Sequence, residues 1–186
     1  IRDSLTRSRD IYIPLRQRVN IARKHQADLF ISIHADAIKR KNVRGMSIYT
    51  LSETASDKEA EALARKENRS DIIVGIDFDD QPPEVADILI DLAQRETKNL
   101  SVKFANLVVK NARGTTRLLE RTHRFAGFRV LKAPDVPSVL IELGFLTNRS
   151  DEKQMLSVGW RRKIAKSLVK SVNGFFSSSQ QARMTQ

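Results

Sequence analysis

The 186-residue sequence contains no cysteine, which excludes disulfides, thiol catalysis and cysteine-based zinc sites. Only histidine, aspartate and glutamate remain as side chains suited to bind a metal ion. Aromatic residues make up 6% of the chain, and no lysine- and arginine-rich run is interleaved with them, as single-strand nucleic-acid binders require. No apolar run approaches the roughly 20 residues that span a bilayer. The predicted partners therefore include no nucleic acid, and we expect no transmembrane segment.

Acidic residues are scarce and unevenly distributed. The chain has 22 Asp and Glu against 33 Lys and Arg, a net charge of +11. Between Glu53 and Lys98 there are 13 acidic and 6 basic residues, so this segment carries −7 and the remainder +18. The positively charged remainder of the chain would attract polyanions such as cell-wall polymers, anionic membrane faces or nucleic acid. An equally good interpretation is that these cations are the solvated faces of helices.

Alternating helical and strand patterns predict an α/β domain with a mostly parallel or mixed central sheet flanked by helices. The sequence predicts strands at residues 29–34, 46–51, 128–132 and 138–145, and a basic surface loop at 114–127. Residues 53–100 are predicted to form an acidic helical insertion between two core strands. The low-complexity tail at 177–186 is expected to be disordered.

Two predicted strands carry polar side chains at their carboxyl ends. The run LFISIH is typical of a buried strand in a parallel sheet and ends at His34. The run SVLIELGF carries the carboxylate of Glu142 near its end. Taken singly, His34 is more often a hydrogen-bonded structural residue, and pairing with a structural arginine is a fair alternative for Glu142. Because ligands bind outside the carboxyl ends of strands in open α/β sheets, the two together predict a shared site.

Glu67 lies on the apolar face of a predicted helix. A capping-box pattern at residues 56–59 opens this helix, and Ala60, Leu63 and Ala64 form its apolar face. A carboxylate on that face requires a positive partner, such as a metal ion or an arginine. The other interpretation is that Glu67 lies at a fraying helix end and is solvated.

Three motifs resemble the zinc-dependent N-acetylmuramoyl-L-alanine amidases of bacterial cell separation. They are LTR at residues 5–7, ADLFISIHAD at 27–36 and PSVLIELGFLTN at 137–148. The resemblance implies an amidase catalytic domain over residues 1–176 that lacks its N-terminal strand. It also implies that 53–100 is a regulatory insertion, whose helix covers the active site until an activator protein moves it.

Residue by residue, the resemblance implies a zinc hydrolase. His34 corresponds to a zinc ligand, and Glu142 to the general base that acts on the attacking water. Glu67 resembles the inhibitory glutamate that occupies a zinc position in the resting enzyme. Two further zinc ligands, a histidine and a glutamate, are expected upstream of Ile1, because His25 and His123 do not occupy matching positions.

The function implied is cleavage of peptidoglycan at the amide between the lactyl group of N-acetylmuramic acid and L-alanine of the stem peptide. The same resemblance implies zinc as cofactor, export to the periplasm, and a periplasmic activator protein that docks on residues 53–100. The alternative is a non-catalytic basic module that binds anionic glycan or nucleic acid.

Overall fold

The computed structural model of the protein describes residues 1–73 and 88–184, with side-chain environments for 1–71 and 94–178. Six helices and four strands occur in the described residues. The helices are α1 (Leu15–Lys24), α2 (Lys58–Asn68), α3 (Ser70–Ile73), α4 (Ile88–Ala112), α5 (Arg149–Leu156) and α6 (Val158–Met184). The strands are β1 (Phe30–Asp36), β2 (Met46–Leu51), β3 (Leu118–Ala126) and β4 (Ser138–Phe145).

The four strands form one mixed sheet in the order β1-β4-β2-β3. β1 pairs with β4 and β2 with β3 in parallel, whereas β2 and β4 are antiparallel. The predicted α/β class and mixed sheet are thus confirmed. Within the described residues β1 lies at a sheet edge, and Ile33 is 57% exposed.

Alternate residues of the strands point into two separate cores. One core lies where α2 packs on the sheet. Tyr49, Leu140 and Phe128 lie there beside the alanine-rich apolar face of α2. The other lies against α4 and α6, with Ile48 and Ile141 among its members. Side chains alternate between the two faces of the sheet along a strand. His34 therefore lies on the same face as Phe30, and Glu142 on the same face as Leu140. This is the face that α2 covers.

The stretch from Gly114 to Lys132 differs from the prediction. Residues 118–126, predicted as loop, form β3, and the predicted strand at 128–132 is a 3₁₀ turn at Arg129–Leu131. β3 tolerates its polar composition because it pairs with β2 at the sheet edge, where Glu120 and Arg121 are exposed to water. Its third charged residue, Arg124, is buried and forms an ion pair with Asp57. Val130 and Leu131 are buried without being in a strand, since a short apolar run does not distinguish a strand from a packed turn.

The predicted insertion separates β2 from β3 and includes α2, α3 and the first half of α4. Its middle, residues 74–87, lies outside the described residues. The tail predicted to be disordered is helical as far as Met184. The tail contains no glycine or proline after Phe176, and each added residue of an existing helix gains a hydrogen bond. No described helix combines the length and the apolar character needed to cross a membrane.

Candidate functional site

His34 and Glu142 are direct register partners across the parallel pair β1 and β4. Parallel pairing places the carboxyl ends of the two strands side by side, which brings the two predicted residues together at one end of the sheet. Asp36 lies two residues beyond His34 and therefore on the same face of β1. Ligand atoms of His34, Asp36 and Glu142 all lie within 4.8 Å of one another. The site thus combines one imidazole with two carboxylates.

Glu142 is the most buried member of the site, with 0% of its surface exposed. Its Oε1 accepts a hydrogen bond from the Asp36 backbone N–H at 2.9 Å, whereas its buried Oε2 has no hydrogen-bond partner among the described residues. Burial raises the pKa of Glu142 to about 8, and the negative charge of Asp36 acts in the same direction. One carboxylate oxygen is therefore fixed in position, and the other is left for a ligand or a proton.

His34 presents its two ring nitrogens to different neighbours. Nδ1 lies 3.5 Å from Asp36 Oδ2, while Nε2 lies 3.1 Å from Ser32 Oγ and 3.6 Å from Glu67 Oε1. Burial alone would lower the pKa of His34, but hydrogen bonding to Asp36 and the charge of Glu67 outweigh it and raise that pKa. A carboxylate at one ring nitrogen is the usual arrangement that orients a metal-binding histidine.

Glu67 approaches the site from α2. Its side chain is only 14% exposed, so the interpretation that it lies solvated at a fraying helix end is wrong. The imidazole of His34 lies next to the Glu67 carboxylate, at a distance too long for a hydrogen bond. Burial raises the pKa of Glu67, although the charges of His34 and Arg18 partly oppose that shift. The structure therefore brings three predicted residues, His34, Glu142 and Glu67, to one place.

Asp36 is the site residue that sequence reasoning missed. Burial opposes its ionisation, but hydrogen bonds with His34 and Lys66 lower its pKa to about 2. The signal that could have found it is the two-residue spacing from His34, which places both side chains on one strand face. His123 lies elsewhere, on β3, with Nε2 3.0 Å from Thr50 Oγ1.

The donor set fits a divalent metal ion. Imidazole nitrogen and carboxylate oxygens are typical zinc ligands. Three such donors cluster within 4.8 Å of one another, as a bound cation requires. The buried Oε2 of Glu142 has no partner among the described residues, and because buried polar atoms normally have partners, it is suited to a proton or to a water molecule at such an ion.

Comparison with known proteins identifies the family. The family model described as N-acetylmuramoyl-L-alanine amidase matches residues 2–174. N-acetylmuramoyl-L-alanine amidase AmiA of Escherichia coli is 39% identical over 173 residues, which cover 92% of this chain and 60% of AmiA. The chain thus spans less than two thirds of that relative's length.

Solved structures show the same fold. The amidase Ami1 from Mycobacterium smegmatis superposes with a TM-score of 0.62 at 21% identity, over 94% of this chain and 67% of Ami1. The CwlD amidase from Clostridioides difficile, solved in complex with the GerS lipoprotein, gives 0.57 at 19% identity, over 88% of this chain and 62% of CwlD. The chain belongs to the N-acetylmuramoyl-L-alanine amidase family.

Proposed function

We propose that the protein containing this chain is a zinc-dependent N-acetylmuramoyl-L-alanine amidase that acts on peptidoglycan in the periplasm during daughter-cell separation. The bond cleaved is the amide between the lactyl group of N-acetylmuramic acid and L-alanine of the stem peptide. The observation that carries the proposal is the pairing of His34 with Glu142 at adjacent strand ends, in a chain of this family.

In this proposal His34 supplies a metal ligand, and the remaining protein ligands come from the sequence upstream of Ile1. Zinc, when bound, activates a water molecule and polarises the scissile carbonyl. Glu142 accepts the proton of the attacking water and delivers it to the leaving amine. The Asp36 N–H holds Oε1 of Glu142, so the free Oε2 is the atom that moves the proton.

We further propose that α2 inhibits the resting enzyme. Glu67 lies against Nε2 of His34, and a carboxylate at that position takes up space that a water molecule or the substrate needs. A periplasmic activator protein that docks on residues 53–100 would remove this block. The CwlD amidase in complex with the GerS lipoprotein is an example of the same fold assembled with a partner protein.

Mass spectrometry of a peptidoglycan digest tests the proposed function. The full-length protein, supplied with zinc, is expected to release stem peptides with a free L-alanine amino group and to leave the glycan strands intact. Cleavage between sugars, or within the stem peptide, would contradict the proposed bond.

The same preparation tests the alternative of a basic binding module. A binding module would release no peptide and would bind purified cell wall and DNA equally, with both affinities falling steeply as salt is added. If the protein is an amidase, we expect it to release peptides, and added DNA should not suppress that release.

A further inference from the structure

The contact between Glu67 and His34 does not by itself hold α2 over the site. The two side chains are 3.6 Å apart and form no hydrogen bond. The apolar face of α2 is also small, because its buried residues are two alanines and one leucine. Other contacts must therefore fix the end of the helix that carries Glu67.

Lys66, directly before Glu67, joins α2 to the end of β1. Its Nζ lies 2.5 Å from Asp36 Oδ1 and also donates a hydrogen bond to the Ala37 carbonyl oxygen at 2.9 Å. Asp36 is the carboxylate that faces Nδ1 of His34. Lys66 thus ties the helix to the same side chain that orients the histidine.

Asn68, directly after Glu67, joins α2 to the segment that follows β3. Its Nδ2 donates to the Gly127 carbonyl oxygen at 2.8 Å, and its Oδ1 accepts from the Arg129 N–H at 2.8 Å. Both polar atoms of the amide are used, and both partners are backbone groups. Such a two-point contact with the backbone fixes the amide's position and orientation together.

We propose that Lys66 and Asn68 are positioning residues that together clamp the carboxyl end of α2 and hold Glu67 against His34. Successive helical residues project 100° apart, so the two clamp residues lie on either side of Glu67. One is fastened to β1 and the other to the chain after β3. This inference rests on the proposed autoinhibition and names the contacts that maintain it.

Hydrogen exchange of the α2 amides tests the clamp directly. In Asn68→Ala and in Lys66→Met we expect amides in the last two turns of α2 to exchange at least 10-fold faster than in the wild type, with β4 amides unchanged. The matched control is Glu61→Gln, which removes the exposed Glu61–Arg65 ion pair of the same helix and should change exchange by less than twofold. Unchanged α2 exchange in both clamp variants would overturn the proposal.

Asn68→Asp provides a milder test if Asn68→Ala does not fold. Aspartate keeps an acceptor for the Arg129 N–H but cannot donate to Gly127, so exchange of α2 should be intermediate. Exchange as slow as in the wild type would show that the Gly127 contact contributes nothing to the clamp, and would contradict the proposal.

Basal hydrolysis by the full-length protein separates failure of the clamp from failure of autoinhibition. The clamp predicts that Asn68→Ala raises the basal rate in the same direction as Glu67→Ala. If Glu67→Ala raises the rate and the clamp variants change neither rate nor exchange, the clamp is wrong and autoinhibition stands. If the clamp variants loosen α2 and no variant, including Glu67→Ala, raises the rate, autoinhibition is wrong and the clamp has no regulatory role.

Discussion

Replacing Glu142 with glutamine is expected to lower peptide release from peptidoglycan by at least about 100-fold, because a positioned general base contributes typically 10²–10⁴ to the rate. Glutamine keeps the size of the side chain and an oxygen that can accept from the Asp36 N–H. It cannot take up a proton from water. The measurement is the initial rate of peptide release by the full-length enzyme, with circular dichroism and thermal unfolding to confirm the fold.

The control for this variant is a second strand carboxylate outside the site. Glu120 on β3 is exposed, and Glu120→Gln should leave the rate within twofold of the wild type. Activity of Glu142→Gln within a fewfold of the wild type would remove Glu142 from the proton-transfer role, and its burial would then have to be explained as a structural feature.

Replacing Glu67 with alanine is expected to raise basal activity in the absence of any activator. The substitution removes the carboxylate next to Nε2 of His34 and leaves the clamp residues on either side in place. We expect an increase of about 10-fold, which corresponds to a shift of about 1.4 kcal/mol in favour of the open site. The measurement is peptide release by the full-length protein alone.

A matched control for Glu67→Ala exists on the same helix. Glu59 is exposed on α2 and pairs with Arg40 and, at 3.4 Å, with Arg124. Glu59→Ala therefore removes a carboxylate from α2 without touching the site. Its basal rate should equal that of the wild type. A basal rate of Glu67→Ala that is unchanged or lower would count against autoinhibition by this helix.

Much of the candidate site is visible in the sequence because strand ends and helix faces are local features. A histidine and a glutamate at the ends of two apolar runs predict that His34 and Glu142 share a site, and the parallel pairing of β1 with β4 brings them together. The misplaced carboxylate on an apolar helix face likewise marks Glu67. Each of these signals arises within about a dozen residues of chain.

The parts that escaped prediction depend on contacts between distant segments. β3 is polar, and only its pairing with β2 makes it a strand. The contacts of Asn68 with Gly127 and Arg129 join residues about 60 positions apart, so no local pattern reveals them.

The role of His34 as a zinc ligand is tested by comparing zinc binding of the full-length wild type with that of His34→Ala. Equilibrium dialysis with elemental analysis gives both the stoichiometry and the affinity. We expect one zinc ion per wild-type chain and an affinity at least about 100-fold lower in His34→Ala, since loss of one of the three protein ligands of a catalytic zinc site removes a direct metal bond. A wild-type protein that binds no zinc, or equal affinity in the two proteins, would contradict that role.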